Sequence, residues 1–291
     1  MSEPRTVSQL LDLGERVLGD SSAIFEDHDN RHEAEQLLAF VLRIPTSKLR
    51  KRAEPSKRQL ERYLALVARR AGGEPLPLLT GRIEFYGLDL KVRPGVFVPR
   101  PSSELIVDRA LKRVAKKRRP IVVDVCTGAG PIALAIAAER PDAEVWGADI
   151  SDEGLSQGRT NAKRLGIDNV AFRRGDLFGP LPARLCGRVD EITAHVPYVP
   201  ADELDDLPIE VRSYEPLFTL TDESFDGLGL MRRTVEEGVE WLAPGGWMLL
   251  EMSEDMATKA KRMCMRVGFT DVRVASDRDG LSVVVESRRS R

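Results

Sequence analysis

The spacing of apolar residues along the chain changes character three times. Over the first eighty residues the period is helical. Leu10, Leu11, Val17 and Leu18 follow a Thr6–Gln9 pair at capping-box spacing. Ala34, Leu37, Leu38 and Val41 make one stripe of a second helix, behind Asn30 and Glu33 spaced as another box. Leu60, Tyr63, Leu64 and Val67 make a third stripe, which Gly72-Gly73 terminates. From Arg82 the period drops to two: Ile83, Phe85, Leu88, Leu90 and Val92 alternate with other residues around Gly87, as in a β-hairpin. Pro99-Arg100-Pro101 stiffens the exit, and a helix is expected from about Ser102 to Lys117.

From Pro120 short apolar runs alternate with helical segments. Ile121–Val125, Glu144–Asp149, Val170–Phe172, Val189–Ala194 and Gly246–Met252 are predicted strands. This alternation predicts an α/β fold with a doubly wound, mostly parallel sheet. Val272–Ala275 and Leu281–Val285 flank Asp277–Gly280, which predicts a terminal antiparallel hairpin. The expected organisation is a helical domain over residues 1–80, a hairpin and linker over 81–100, and the α/β domain over 101–291.

Composition narrows the partners. With 42% hydrophobic and 31% charged residues the chain is an ordinary globular sequence, and its net charge of −2 supplies no basic surplus for sequence-independent nucleic-acid binding. The Lys116–Arg119 run suits the C-terminal end of a helix, where cations complement the dipole. The start Met-Ser-Glu-Pro-Arg lacks the apolar stretch of a signal peptide, and no apolar run is long enough to span a membrane. Cys126, Cys186 and Cys264 are odd in number and far apart, so a reducing, cytoplasmic location is expected. His28 and His32 are separated by the cap-like Asn30, so they are expected to be surface residues near a helix start, and no metal site is predicted.

The candidate chemistry lies at predicted strand ends, where open α/β sheets bind ligands. Gly128 and Gly130 permit close approach of backbone to a ligand, and Asp149, about twenty residues on, is placed to accept hydrogen bonds from ribose hydroxyls. Gly-x-Gly alone fits NAD, a flavin or a methyl donor. Pro131 and Ala133 stand where a dinucleotide fingerprint has its third glycine, which favours a nucleoside without a pyrophosphate. Gly175-Asp176 is placed to read an adenine amino group. The fourth strand ends in His195-Val196-Pro197-Tyr198.

Asp124-x-Cys126-Thr127-Gly128-Ala129-Gly130, Asp149, Gly175-Asp176 and the x-x-Pro-Tyr strand end together resemble the S-adenosylmethionine-dependent methyltransferases. More narrowly, the chain resembles the HemK/PrmC family, which methylates a glutamine side-chain amide in peptide chain release factors. That likeness extends to Ala34-Glu-Gln-Leu-Leu38, Leu79-Thr-Gly-Arg-Ile-Glu-Phe-Tyr-Gly87, Phe97-Val-Pro-Arg-Pro101 with Glu104, and Val211-Arg-Ser-Tyr-Glu-Pro-Leu217. It implies that Cys126 to Gly130 wrap the methionine part of S-adenosyl-L-methionine, that Asp149 holds the ribose, and that Asp176 and Leu177 border the adenine. It also implies a protein substrate positioned by the helical domain.

At residues 195–198 the family has Asn-Pro-Pro-Tyr, whose asparagine oxygen and following carbonyl accept hydrogen bonds from the substrate amide. Here Val196 keeps a carbonyl, Pro197 biases Val196 toward an extended conformation, and Tyr198 keeps a stacking face. His195 departs. A neutral imidazole can accept one hydrogen bond; it can act as a base toward an amine or hydroxyl; or the site can have lost catalysis and kept binding. Ser102-Ser103 departs too, standing where the family has an acidic residue and a threonine. An exocyclic amine of a flipped base is the rival acceptor, since x-x-Pro-Tyr sites also serve such bases, but the missing basic surplus makes nucleic acid the less expected partner.

Overall fold

A computed structural model describes residues 6–24, 29–51, 54–277 and 282–291. The chain divides into two compact units, one of residues 1–82 with 205–215 and the other of residues 83–204 with 216–291.

The first unit is helical. Val7–Gly19 begins with the Thr6–Gln9 capping box, and Lys57–Ala71 with a second box of Ser56 and Gln59. The middle helix, Asn30–Leu42, is capped by Asp29, whose carboxylate accepts the His32 N–H at 2.9 Å. The expected cap, Asn30, is instead its first residue, because its neighbour offers an equally good acceptor one position earlier. His28 lies outside the described residues. Leu37, Leu38, Tyr63 and Val67 fill the core as the stripes require, but Leu64 is exposed and Leu66 is buried in its place. The buried face of the third helix is thus shifted toward Leu66 and Arg70. Arg70 grips Glu33 through two hydrogen bonds and faces Glu210, a residue of the returning segment 205–215.

From Ile83 the chain is in the second unit; β1 (Arg82–Phe85) and β2 (Leu88–Lys91) form a hairpin whose turn residues Tyr86 and Gly87 both have positive φ, 49° and 72°. Glu104 and Asp108 anchor the turn by accepting the Tyr86 N–H and hydroxyl. The following helix runs Glu104–Val114, shorter than expected, because Pro101–Ser103 forms a separate 3-10 turn. The Lys116–Arg119 run falls just beyond that helix's end, where Lys117 pairs with Asp190.

β3 (Ile121–Val125), β4 (Glu144–Asp149), β5 (Val170–Arg174), β6 (Val189–Ala194), β7 (Leu242–Met252), β8 (Thr270–Ser276) and β9 (Val283–Arg288) make one sheet in the order β5-β4-β3-β6-β7-β9-β8. β3 to β7 are parallel, and β9 runs antiparallel to both β7 and β8. The terminal pair is the predicted hairpin, its connection lying partly outside the described residues. Apolar residues cover both faces. Val122, Val145 and Leu249 pack with Ile106, Leu134 and Leu155 on one side, and Val123, Ile192 and Met248 with Met231, Val235 and Met256 on the other. Strand order reverses beside β3, so the crevice for a ligand opens at the carboxyl ends of β3, β4 and β6.

Candidate active site

Register decides which residues meet at that crevice. Val125 is level with Ala148 on one side and Ala194 on the other, so Cys126, Asp149 and His195 emerge in one row. Gly175 joins them through its N–H, which donates to the Asp149 carbonyl at 2.9 Å. Beyond the row lies a cavity of about 440 Å³, within the usual range for small-molecule sites. Of the residues predicted from sequence, Cys126, Thr127, Gly128, Ala129, Asp149, Asp176, Leu177, His195 and Pro197 line it. Asp124, Gly130, Val196 and Tyr198 do not; Asp124 and Val196 are each 1% exposed.

The glycine loop is held from below and from the side. Asp124 accepts hydrogen bonds from the Thr127 and Thr193 hydroxyls, and burial pushes its carboxyl up to about 7 despite them. Asp149 accepts the Gly128 N–H through one oxygen and the Ser151 N–H through the other, both at 2.8 Å. Burial raises the Asp149 carboxyl, and those two amides oppose the shift. Gly130 starts the helix Pro131–Glu139 at φ 75°, and a Cβ there would lie 2.6 Å from the Phe172 ring, so only glycine fits. Cys126 and Leu177 also take positive φ, 55° and 42°, strained values that concentrate at functional sites. Desolvation, with the nearby Asp149, Asp124 and Asp176 carboxylates, pushes the half-buried Cys126 thiol well above its ordinary range.

At the far strand end Asp176 pairs with Arg233 at 2.8 Å, and both line the cavity. His195 is packed between rings: Phe97 meets it edge-on at 5.6 Å and Tyr198 stacks at 5.7 Å. Tyr198 thus spends a face on the histidine, and burial pushes its hydroxyl up to about 12. Sequence reasoning missed several lining residues. Ile150, 54% exposed, follows Asp149 directly; Phe97 and Ser103, noted in the sequence only for the family likeness, line the cavity from the linker and from the 3-10 turn after it. It also missed Glu251, which stands behind the imidazole with Oε2 3.5 Å from Nδ1. Position one residue beyond an acidic strand end was a usable signal for Ile150; nothing local marks Glu251.

A doubly wound sheet with a nucleoside-sized cavity at its switch point, floored by a glycine loop and an acidic strand end, defines a class I methyltransferase. Family models agree: one for a methyltransferase domain matches residues 116–226 and one for a PrmC N-terminal domain matches residues 9–81. A release factor glutamine methyltransferase of Thermodesulfovibrio yellowstonii is 32% identical over 90% of this chain and 94% of its own length. Another, of Geobacter sulfurreducens, is 40% identical over 77% of this chain and 76% of its own. Among solved structures, a methyltransferase from Pyrococcus furiosus superposes with TM-score 0.52 at 18% identity, covering 70% of this chain and 90% of that one. The chain belongs to the release factor glutamine methyltransferase family. Among the described residues no helix is long and apolar enough to cross a membrane.

Proposed function

We propose that this protein is a cytoplasmic enzyme that transfers the methyl group of S-adenosyl-L-methionine to the side-chain amide nitrogen of a glutamine in a peptide chain release factor. The observation that carries the reading is one cavity joining the glycine loop, Asp149 and the His195–Pro197 strand end. Full-length similarity, including the helical N-terminal region, supports the protein substrate. Cys126, Cys186 and Cys264 are all free thiols, which suits a reducing compartment.

The residues present fit the cofactor. Each Asp149 oxygen takes one backbone amide and keeps a second lone pair, so the carboxylate can also receive two ribose hydroxyls. Ile150 and Leu177 offer apolar surface to a planar adenine, and Asp176 an acceptor for its amino group. Cys126 to Ala129, which line the cavity, would face the methionine portion. Bound there, the cofactor supplies a methyl group activated by positively charged sulfur. The strand end then has to hold a poor nucleophile, since an amide nitrogen shares its lone pair with the carbonyl. The family resemblance assigns its two N–H groups to His195 and the Val196 carbonyl; of the two, His195 lines the cavity and is the acceptor the geometry supplies, aligning the nitrogen and stabilising the charge it gains.

Asp149→Ala removes both the ribose acceptor and the tie to Gly128. S-adenosylmethionine affinity is expected to fall by about 1–3 kcal/mol, roughly 5- to 150-fold. Calorimetry on the two proteins checks this; equal affinities refute the placement. For the function as a whole, the enzyme is incubated with labelled methyl donor, a purified release factor and total RNA. Label is expected in the release factor alone. Label in the RNA, with none in the protein, overturns the reading.

A further inference from the structure

Ala194 is level with Leu250 across the parallel β6–β7 ladder, so the residues that follow, His195 and Glu251, end up side by side. Glu251 is 3% exposed and its orientation is fixed. Oε1 accepts the Ser103 hydroxyl at 2.7 Å and the Ser282 hydroxyl at 3.1 Å. Oε2 has no hydrogen-bond partner among the described residues and lies 3.5 Å from His195 Nδ1. The imidazole cannot swing away easily, because Phe97 abuts it edge-on and Tyr198 covers a face. A buried carboxylate oxygen facing a ring nitrogen selects the tautomer that carries its proton there, on Nδ1. Nε2 is then the lone-pair nitrogen of a side chain that lines the cavity.

We propose that Glu251 and His195 form a proton-accepting pair, in which Glu251 holds the proton on Nδ1 and Nε2 takes the proton that the acceptor nitrogen must lose. This rests on the methyl-transfer reading above. When a primary amide is methylated, a nitrogen–carbon bond forms, the electron pair of the donor's carbon–sulfur bond returns to sulfur, and the positive charge passes to nitrogen. Loss of one N–H proton restores a neutral secondary amide. Nε2 receives that proton, Glu251 stabilises the imidazolium, and the proton leaves to solvent. Asparagine at this position accepts a hydrogen bond but cannot take the proton; an imidazole can do both. Glu251 is a positioning residue, acting only through His195. The other charged and titratable groups around the pair are Tyr198, which stacks on the ring, Arg100, which lies 4.7 Å over Phe97, and Asp255, which with Glu251 and Arg100 acts on the Tyr198 hydroxyl.

Two measurements test the pair. Nitrogen-15 NMR of the imidazole in the cofactor-free protein, with His195→Asn identifying the signal, reads the tautomer without any turnover. Proton on Nδ1 in the parent is expected, and its relocation to Nε2 in Glu251→Gln. Single-turnover transfer to the release factor is then followed from about pH 5 to 8, the span in which imidazoles titrate. The parent should lose rate toward acid, and Glu251→Gln, which no longer holds the proton on Nδ1, should transfer more slowly than the parent. His195→Asn should abolish the limb and slow transfer by about a hundredfold, with S-adenosylmethionine affinity by calorimetry unchanged. Proton on Nε2 in the parent overturns the pair, as does full-rate transfer by His195→Asn. Should neither the parent nor any variant methylate the release factor, the functional reading fails, and the tautomer in the parent still decides whether Glu251 sets the proton.

Discussion

Arg70→Met should loosen the helical unit by about 3–5 kcal/mol, the usual cost of removing one partner from a buried ion pair. Arg70 is 1% exposed, with Nε 2.7 Å and Nη2 3.1 Å from the two oxygens of Glu33, itself 6% exposed, and Nη1 3.0 Å from Glu210. Methionine fills a similar volume but takes the guanidinium away from the buried Glu33 and the partly buried Glu210. The effect should be local. Trp146, Trp241 and Trp247 all lie in the second unit, so tryptophan fluorescence is blind to the change. Hydrogen exchange reports it directly: amides of Asn30–Leu42, Lys57–Ala71 and the segment 205–215 are expected to exchange about a hundredfold faster or more. The double variant Glu33→Leu with Arg70→Met should recover part of the loss, because charge and counter-charge leave together. Unchanged exchange in Arg70→Met would show that the cluster contributes nothing.

Gly227→Ala should cripple transfer while sparing cofactor affinity. Gly227 has φ 63°, and a Cβ there would collide with the Tyr198 carbonyl oxygen and stand 3.0 Å from the Pro200 nitrogen. Its own loop cannot yield cheaply. Asp222 takes the Ser224 and Leu230 amides, and the Ser224 hydroxyl takes the Gly229 amide. The displacement therefore passes to Tyr198-Val199-Pro200 and on to the strand end that holds the substrate. A misplacement of about 1 Å costs on the order of a hundredfold in rate, and the left-handed backbone adds about 1–2 kcal/mol of instability. Gly87→Ala is the control: its φ is 72°, but nothing lies within 4 Å of the added carbon. Calorimetry with S-adenosylmethionine and single-turnover rates on both variants separate strain from collision. Equal rates in the two would contradict the collision.

Features set by a few adjacent residues are legible in the sequence. The Thr6–Gln9 box, the Gly72 stop and the Gly87 turn each need only local geometry. The cofactor residues are legible because a parallel sheet puts them all at carboxyl ends of apolar runs, so order along the chain becomes position in space. Where two neighbours can do the same work the outcome is ambiguous, as at Asp29 and Asn30. What depends on long-range register stays hidden. Glu251 looks like one polar residue in an apolar strand, and its importance comes from Ala194 meeting Leu250 and from Ser103, 148 residues away. Residues 205–215 likewise read as more of the α/β stretch; Arg70 and Glu210 reveal where they belong. The departures at Ser103 and His195 look unrelated in sequence and become one feature only through Glu251.

In the proposed reaction the nitrogen that attacks at the His195 strand end belongs to a glutamine side chain. Fragmentation mass spectrometry of the release factor, after incubation with enzyme and S-adenosylmethionine, identifies the methylated atom itself. One methyl group on the side-chain nitrogen of a single glutamine, formed far more slowly with Gly227→Ala and absent when that glutamine is replaced, is the expected result. A methyl group on lysine, arginine or a carboxylate, or a release factor left unmodified while another class of acceptor in the mixture is methylated, would contradict it.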